Sequence, residues 1–557
     1  MLYIVKFYFI LNFLFFSKIY CFKCGSNKLN IKPKIINLNK NLRNLDSENI
    51  TNHSINFYID YEIIEKQKNS EINDTIISSK YISFIKSTFN KTIEIFKKLL
   101  NVSSIQSLYI EDEDLNNLYY FGLNNILNES SLSKILNKKI NADIIIVPFI
   151  YPLEDTIDAA AFTYLIDNYT YRPILGFVEL RPNYNFSKKN SENFLSLLLL
   201  HEITHVLAFS NNLYSFFQID ENTKILDNQI INGINRTLLS TPKVVQAAQK
   251  HFNCSSITGI ELEDQGGEGS IGSHWEARTM LGDYMIAIDY PEIVISDITL
   301  SLFEDSGWYS VNYYTGGLFR FGKNMGCSFL NSTCLSNGNT EFDLDFCTIS
   351  DEPRCSAGNL DRGICYLIEW PSDIENNYKY FNYSNIGGLF HADYCPVMIN
   401  YPSNYYNFYS RCDLNSINNG YDNEIYSDNS ICVLNSLVTS DNKKGKTRAL
   451  CMEVECDYDN NAVLITLGNE IISCNVSGEF NIEGYKGSIT CPNFNRVCTG
   501  SKWCNDVFSC VEQKSTTLES VYIEHYKKNY TEEEEEPLNV KKIKYLKKFL
   551  ILFLLLI

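Results

Sequence analysis

The sequence predicts an α+β fold, with a mixed strand-and-helix layer followed by a disulfide-rich C-terminal domain. Three observations carry this. Between Ile55 and Phe209, apolar runs of strand length alternate with segments of helical periodicity, as layered sheets and helices require. Of the 18 cysteines in 557 residues, 15 crowd between Cys327 and Cys510, the density of a disulfide framework in an oxidising compartment. Between these regions lies a glycine-rich stretch, Glu263 to Ser270, which reads as a flexible loop.

The elements follow in order. Lys6 and the apolar run from Phe7 to Phe16 resemble a secretory signal peptide spanning residues 1–20. Residues 21–54 are largely polar and lack clear periodicity, so they read as a removable pro-segment or a loose arm. Ile55 to Ile63 alternates apolar and polar residues as a half-exposed strand does. Ser78 to Val102 is an amphipathic helix through Ile82, Ile85, Phe89, Ile93, Phe96, Leu99 and Leu100. Ala142 to Phe149 reads as a buried strand, Ala159 to Ile166 is small and apolar, and Arg172 to Leu180 reads as an edge-type strand with its proline at the start. Ser191 to Phe209 is a helix with Ser191 as its N-cap. Leu213 to Phe217 is aromatic and apolar. Pro242 to Phe252 is helical, with Val244, Val245, Ala248 and Phe252 on one side, and Ile298 to Trp308 is again amphipathic.

After about Gly326 the chain is Asn- and Tyr-rich and turn-laden, and a loop-dominated domain is expected. No C-x-x-C pair occurs there, which favours disulfides over metal sites. The tail holds an acidic run, Glu532 to Glu536, a basic stretch, Lys541 to Lys548, and nine terminal apolar residues, Phe549 to Ile557. Nine residues cannot span a bilayer as a helix. They resemble a short GPI-anchor signal, so membrane attachment through the tail and an ordinary solvated tail are both open. Sequons at Asn73, Asn90, Asn101, Asn128, Asn185, Asn235, Asn331 and Asn475 suit a secreted chain. The net charge of −18 argues against nucleic acid as a partner.

The chemistry centres on His201-Glu202-Ile203-Thr204-His205. Two histidines four apart on a helix share one face, so both imidazoles reach one metal ion. A glutamate beside the first can act as general base on a metal-activated water, which is the logic of the H-E-x-x-H signature of zinc metallopeptidases. A catalytic zinc usually takes three protein ligands. Of the chain's seven histidines, His274 is the best third candidate, because Gly269 and Gly272 give the backbone before it freedom to reach the helix. His251 reads as a helix-surface residue.

The stretch from Leu200 to Ser210 resembles the leishmanolysin family of metallopeptidases. So do Glu261 to Gly267, Gly272 to Arg278, Arg172 to Gly176, Pro242 to Val245 and Glu304 to Tyr309. The resemblance runs from about Ile55 to Cys510 and implies a zincin/metzincin-like catalytic domain with a long insertion, since His274 follows His205 by 69 positions. It implies one Zn2+ per chain held by His201, His205 and His274, with Glu202 as catalytic base. It also implies a methionine in a turn beneath the metal, assigned to Met285 in Asp283-Tyr284-Met285 rather than to Met280. The family has glycine where this chain has Ala208, so a left-handed helix exit strained by about 1 kcal/mol is expected there. The family's pro-segment carries a zinc-blocking cysteine, for which Cys24 is the candidate; pairing with Cys21 is the other reading.

The chain thus divides into a signal peptide (1–20), a candidate pro-segment (21–54), and an N-terminal catalytic subdomain (55–210). A central subdomain with the third ligand (211–326), a cysteine-rich domain (327–515) and a charged, apolar-ended tail (516–557) follow. The expected function is a secreted or cell-surface zinc endopeptidase acting on proteins or peptides. The alternative is a catalytically impaired surface adhesion protein on the same fold.

Overall fold

A five-stranded mixed sheet organises the N-terminal half. Its strands are β1 (Lys34–Ile36), β2 (Phe57–Ile59), β3 (Ile144–Ile150), β4 (Ala159–Asp167) and β5 (Pro173–Leu180), in the spatial order β1-β4-β5-β3-β2. Only β4 and β5 run antiparallel; the other three pairings are parallel. Every residue of β3, β4 and β5 is buried, the pattern of strands covered on both faces. One face packs Ile145, Val147, Phe149, Phe162, Tyr164, Leu175 and Phe177 into a single core cluster. Two helices, α1 (Ser79–Leu99) and α2 (Ser191–Leu207), pack together, and α2 lies on β4 and β5. Ser78 caps α1 by accepting the Tyr81 N–H at 3.1 Å, and Thr92 Oγ1 meets Ser196 Oγ of α2 at 2.9 Å.

The computed structural model describes Cys24 and residues 31–38 and 52–498. Within that span 104–106, 116–130, 154–156, 183–190, 268, 289, 291, 314–318, 401–410, 413–423, 428 and 440–444 are excepted. All belong to one compact unit, Met1–Cys510. The expected signal peptide, Cys21, the sequons at Asn128 and Asn185, Cys504, Cys510 and the whole tail lie outside the described residues. Among those described, no helix is long and apolar enough to cross a membrane.

Several elements differ from expectation. The strand expected over Ile55–Ile63 shortens to β2, and Ile63 instead sits buried in a short helix, Glu62–Lys66. The expected edge strand β5 is central: Pro173 occupies its first position, where a missing N–H is tolerated, so the proline does not demand an edge. Pro148 lies within β3, beyond the last residue that pairs with β2, Ile146.

Beyond the sheet come a hairpin of β6 (Leu226–Ile231) and β7 (Ile234–Leu239), helix α3 (Pro242–Phe252), strand β8 (Ile260–Glu261) and helix α4 (Asp297–Asp305). In α3, Val244, Ala248 and Phe252 are buried, while Val245 is half-buried. Helix α4 buries seven of its nine residues and leaves Asp297 and Glu304, two turns apart, on its accessible face. The cysteine-rich region holds only short elements between 327 and 400, but it is not loops throughout. Residues 430–491 supply a six-stranded antiparallel sheet with its own core of Val433, Met452, Val463, Ile465 and Ile489. Asn- and Tyr-rich connections obscure those short strands in the sequence. Seven disulfides occur among the described residues, and Cys254–Cys327 ties the central segment to the cysteine-rich one.

Candidate metal centre

Helix α2 is apolar on nearly every side, which is the pattern of a helix buried all round. Leu195, Leu198, Leu199, Leu200, Ile203, Val206 and Leu207 are all at 2% exposure or less. The helix approaches β5 closely because Gly176 has no side chain: a Cβ there would lie 2.2 Å from Val206 Cγ1. Thr163 Oγ1 of β4 donates to Val206 O at 2.6 Å, tying the same turn to the sheet. His205 precedes Val206 on this turn and His201 lies one turn earlier, their ring centroids 4.7 Å apart.

His274 arrives on a hairpin. The stretch expected to be flexible is closed by backbone bonds: Glu263 N–H donates to His274 O and Gly272 N–H donates to Glu263 O, each at 2.9 Å. Gly272 has φ +76°, a conformation glycine adopts without steric cost. Leu262 and Trp275 form an antiparallel bridge, and Trp275 N–H donates to Met285 O at 3.0 Å.

The three imidazoles converge through their Nε2 atoms. His201 Nε2 is 3.0 Å from His205 Nε2 and 3.1 Å from His274 Nε2. Each Nδ1 meets a backbone carbonyl: His201 with Tyr284 O at 2.8 Å, His205 with Phe209 O at 2.7 Å, His274 with Ser270 O at 2.8 Å. A carbonyl can only accept, so each Nδ1 carries the hydrogen and each Nε2 presents a lone pair. Three lone pairs pointed together at this spacing repel unless a cation lies among them. Zinc bound at about 2.0–2.1 Å to each nitrogen implies nitrogens about 3.3 Å apart, so the donor set fits that ion. All three histidines are shifted toward the neutral form that binds metal. Burial depresses His205 to about 4. Burial, then the neighbouring histidines, hold His201 well below its usual value, and burial, then His205, does the same for His274.

The remaining candidates are also placed. Cys24 is buried, belongs to none of the seven disulfides, and puts Sγ 3.3 Å from His205 Nε2; with the three histidines it forms one four-donor cluster. Cys24 also pairs in parallel with Ala159, and β1 continues along the same outer edge of β4. Glu202, next to His201, is fully buried. Met285 is fully buried in a turn whose Tyr284 carbonyl holds His201 and whose Asp283 Oδ1 accepts the Met285 N–H at 2.8 Å. Met280, equally buried, closes a short helix, Ala277–Met280.

Two expectations are corrected. Ala208 keeps a negative φ, so no left-handed strain arises. The helix instead ends with the Ala208 and Phe209 N–H groups both donating to Thr204 O, at 2.9 and 3.0 Å. His251 is half-buried rather than on the surface, stacked on Phe319 with Nε2 2.8 Å from Phe321 O. The sequence reading missed Thr204 and Tyr284, whose hydroxyls meet at 2.9 Å and join α2 to the Met285 turn. It also missed the buried charge network around Arg236, Arg278 and Asp393. No local pattern announces the Thr204–Tyr284 contact or the arrival of Asp393, since the groups they join lie 80 or more residues apart.

The model of the peptidase family described as leishmanolysin matches residues 61–504. A leishmanolysin homolog of Crithidia fasciculata is 34% identical over 209 residues, covering 36% of this chain and 31% of that protein. A leishmanolysin-like peptidase of Drosophila melanogaster is 29% identical over 280 residues, 41% of each chain. Leishmanolysin of Leishmania major is 25% identical over 347 residues, 59% of this chain and 55% of its own. The matched regions thus span from about a third to about three-fifths of the relatives' length.

Proposed function

The chain belongs to the leishmanolysin family of peptidases, and from that premise we propose that it is a zinc-dependent endopeptidase hydrolysing peptide bonds in proteins outside the cell. We read the mixed sheet, with α2 on it, as a zincin/metzincin-like catalytic domain. The observation that carries the proposal is the convergence of three Nε2 lone pairs, each orientated by a carbonyl on Nδ1. In this reading His201, His205 and His274 hold the zinc, which supplies Lewis acidity to polarise the scissile carbonyl and bring a water's pKa toward about 7.

The chain's own groups do the rest. Glu202 takes a proton from the attacking water onto its carboxylate as the water oxygen bonds the carbonyl carbon. It then delivers that proton to the amine nitrogen as the C–N bond breaks. Met285 forms an apolar support under the histidines. Cys24, with its sulfur beside His205, would hold the metal together with the three histidines and keep the centre closed until the pro-segment is removed. That segment also covers the outer edge of β4, so its loss would expose main-chain groups to which an extended peptide can add as a strand. Seven disulfides suit secretion or display at the cell surface.

The test is a protein-cleavage assay on the processed chain, with metal content measured. Glu202→Gln should lower turnover by about 10²–10⁴-fold while zinc stays bound; His274→Ala should lose the zinc. Stoichiometric zinc with no turnover in the native chain would reject the enzyme and leave a surface-binding protein. Zinc retained after all three histidines are replaced would reject the ligand assignment.

A further inference from the structure

A second group of donors adjoins the hairpin that carries His274. Residues 261–263 lie along 274–276, with Glu263 N–H donating to His274 O and Glu276 N–H to Glu261 O, at 2.9 and 3.0 Å. Three carboxylates meet there: Glu263, Asp264 and Glu276 each offer an oxygen within 4.8 Å of the other two. Each is anchored through one oxygen. Glu263 Oε1 accepts the Gln265 N–H at 2.8 Å, Asp264 Oδ2 accepts from Arg236 Nη1 at 2.7 Å, and Glu276 Oε1 accepts the Arg278 N–H at 3.0 Å. The other oxygens, Glu263 Oε2, Asp264 Oδ1 and Glu276 Oε2, are buried without a hydrogen-bond partner. Glu263 and Glu276 are 1% and 0% exposed.

The local charge does not balance. With Glu261 and Asp393, five carboxylates share two guanidinium groups. Arg236 is committed to Asp264 and Asp393, and Arg278 to Glu261 at 2.6 Å and Asp393 at 3.5 Å. Among the described residues neither arginine pairs with Glu263 or Glu276. His391 Nδ1 stands 3.5 Å from Glu263 Oε2 and is a charge partner only in its cationic form, while among the described residues Glu276 has no ion-pair partner. Buried carboxylates without a counter-charge are costly. Hard divalent cations take oxygen ligands at about 2.3–2.6 Å, so ligands on opposite sides of one ion stand about 4.8 Å apart, and the three oxygens fall within that span.

We propose that Glu263, Asp264 and Glu276 form a second cation site, for a hard divalent ion of the calcium type, that braces the hairpin presenting His274. All its donors are oxygens, so it is chemically distinct from the nitrogen set that suits zinc. The Asp264 side chain, 25% exposed, gives the ion a way in.

The experiment uses the full chain, stripped by chelation and reloaded with zinc. It is then titrated with Ca2+ while bound calcium, bound zinc and the thermal midpoint are measured. About one calcium per chain and a raised midpoint are expected. Glu263→Gln and Glu276→Gln keep an amide oxygen for their backbone partners but lose the charge; each should weaken calcium binding by about tenfold or more with zinc retained. Asp264→Asn, at the rim, makes the same test without altering a fully buried group. A zinc-loaded native chain that binds no calcium and whose midpoint does not respond overturns the proposal. Calcium binding unchanged by Asp264→Asn overturns it too. Because zinc is counted separately, failure here is distinguishable from failure of the zinc reading.

Discussion

Replacing Gly176 by alanine tests whether the contact of β5 with α2 positions the histidine pair. The added Cβ would stand 2.2 Å from Val206 Cγ1, 3.0 Å from Cγ2 and 3.1 Å from Cβ. Apolar carbons rest at about 3.5–4.0 Å, so the helix must give by about 1 Å. It is not free to do so, because Thr163 holds the Val206 carbonyl and His205 is the preceding residue. Overpacking of this kind costs about 1–3 kcal/mol, and exchanging glycine for alanine in a strand returns about 0.5–1 kcal/mol. The net expectation is a loss of about 1–2 kcal/mol and weaker zinc binding. Val206→Ala alone removes two buried methyls, worth about 0.8 kcal/mol each plus a cavity term, or about 2 kcal/mol together. In the double variant the new methyl occupies the vacated space, so the two changes should couple favourably by about 1–3 kcal/mol, with zinc affinity recovered. The assay is a double-mutant cycle by urea unfolding, with zinc titration of each protein. Effects that add within about 0.5 kcal/mol, or an alanine variant as stable as the native chain, would refute the contact as the positioning element.

Two more outcomes follow from buried groups. Cys24→Ala should give a full-length, unprocessed chain that already cleaves substrate, whereas the native unprocessed chain stays silent; equal silence of both would reject the thiol as the block. Glu179, buried in β5, is pushed up from 4.5 to about 7 by burial. The folded chain therefore keeps a proton that the unfolded chain releases above its own pKa. Stability from this group is complete below about pH 4.5 and falls as pH rises to about 7, by about 3 kcal/mol. Glu179→Gln should lack that decline, and denaturation series for the two proteins that run parallel between pH 4 and 8 would count against it.

Much of the site is legible because helical geometry is local. His201 and His205 share a face for any helix with 3.6 residues per turn, and the leucines before them mark that helix as buried. Helices α1 and α3 are legible for the same reason, with Ser78 and Pro242 announcing their starts. The place of β5 is not, because a leading proline suits an edge strand and the first residue of a central one equally well. The C-terminal sheet escapes because its register joins distant strands, residues 430–435 pairing with 448–453 and with Ile489, pairings that no local pattern encodes. The strain expected at Ala208 depended on one form of helix exit; the chain uses another, with two N–H groups sharing Thr204 O.

By itself, the sequence offers the histidine pair, the glutamate beside it, His274 as the third candidate ligand, a disulfide framework and, through resemblance, Met285 and Cys24 as further candidates. Only the tertiary structure decides which carbonyl orients each imidazole and brings the Cys24 sulfur beside His205. It alone gathers Glu263, Asp264 and Glu276 into one cluster and sets Asp393 beside Arg236 and Arg278. The division has a physical cause. Helical periodicity acts over four residues, whereas these pairings join groups brought together by packing of the whole chain, and their polar atoms are satisfied or left unpartnered only once that packing is complete.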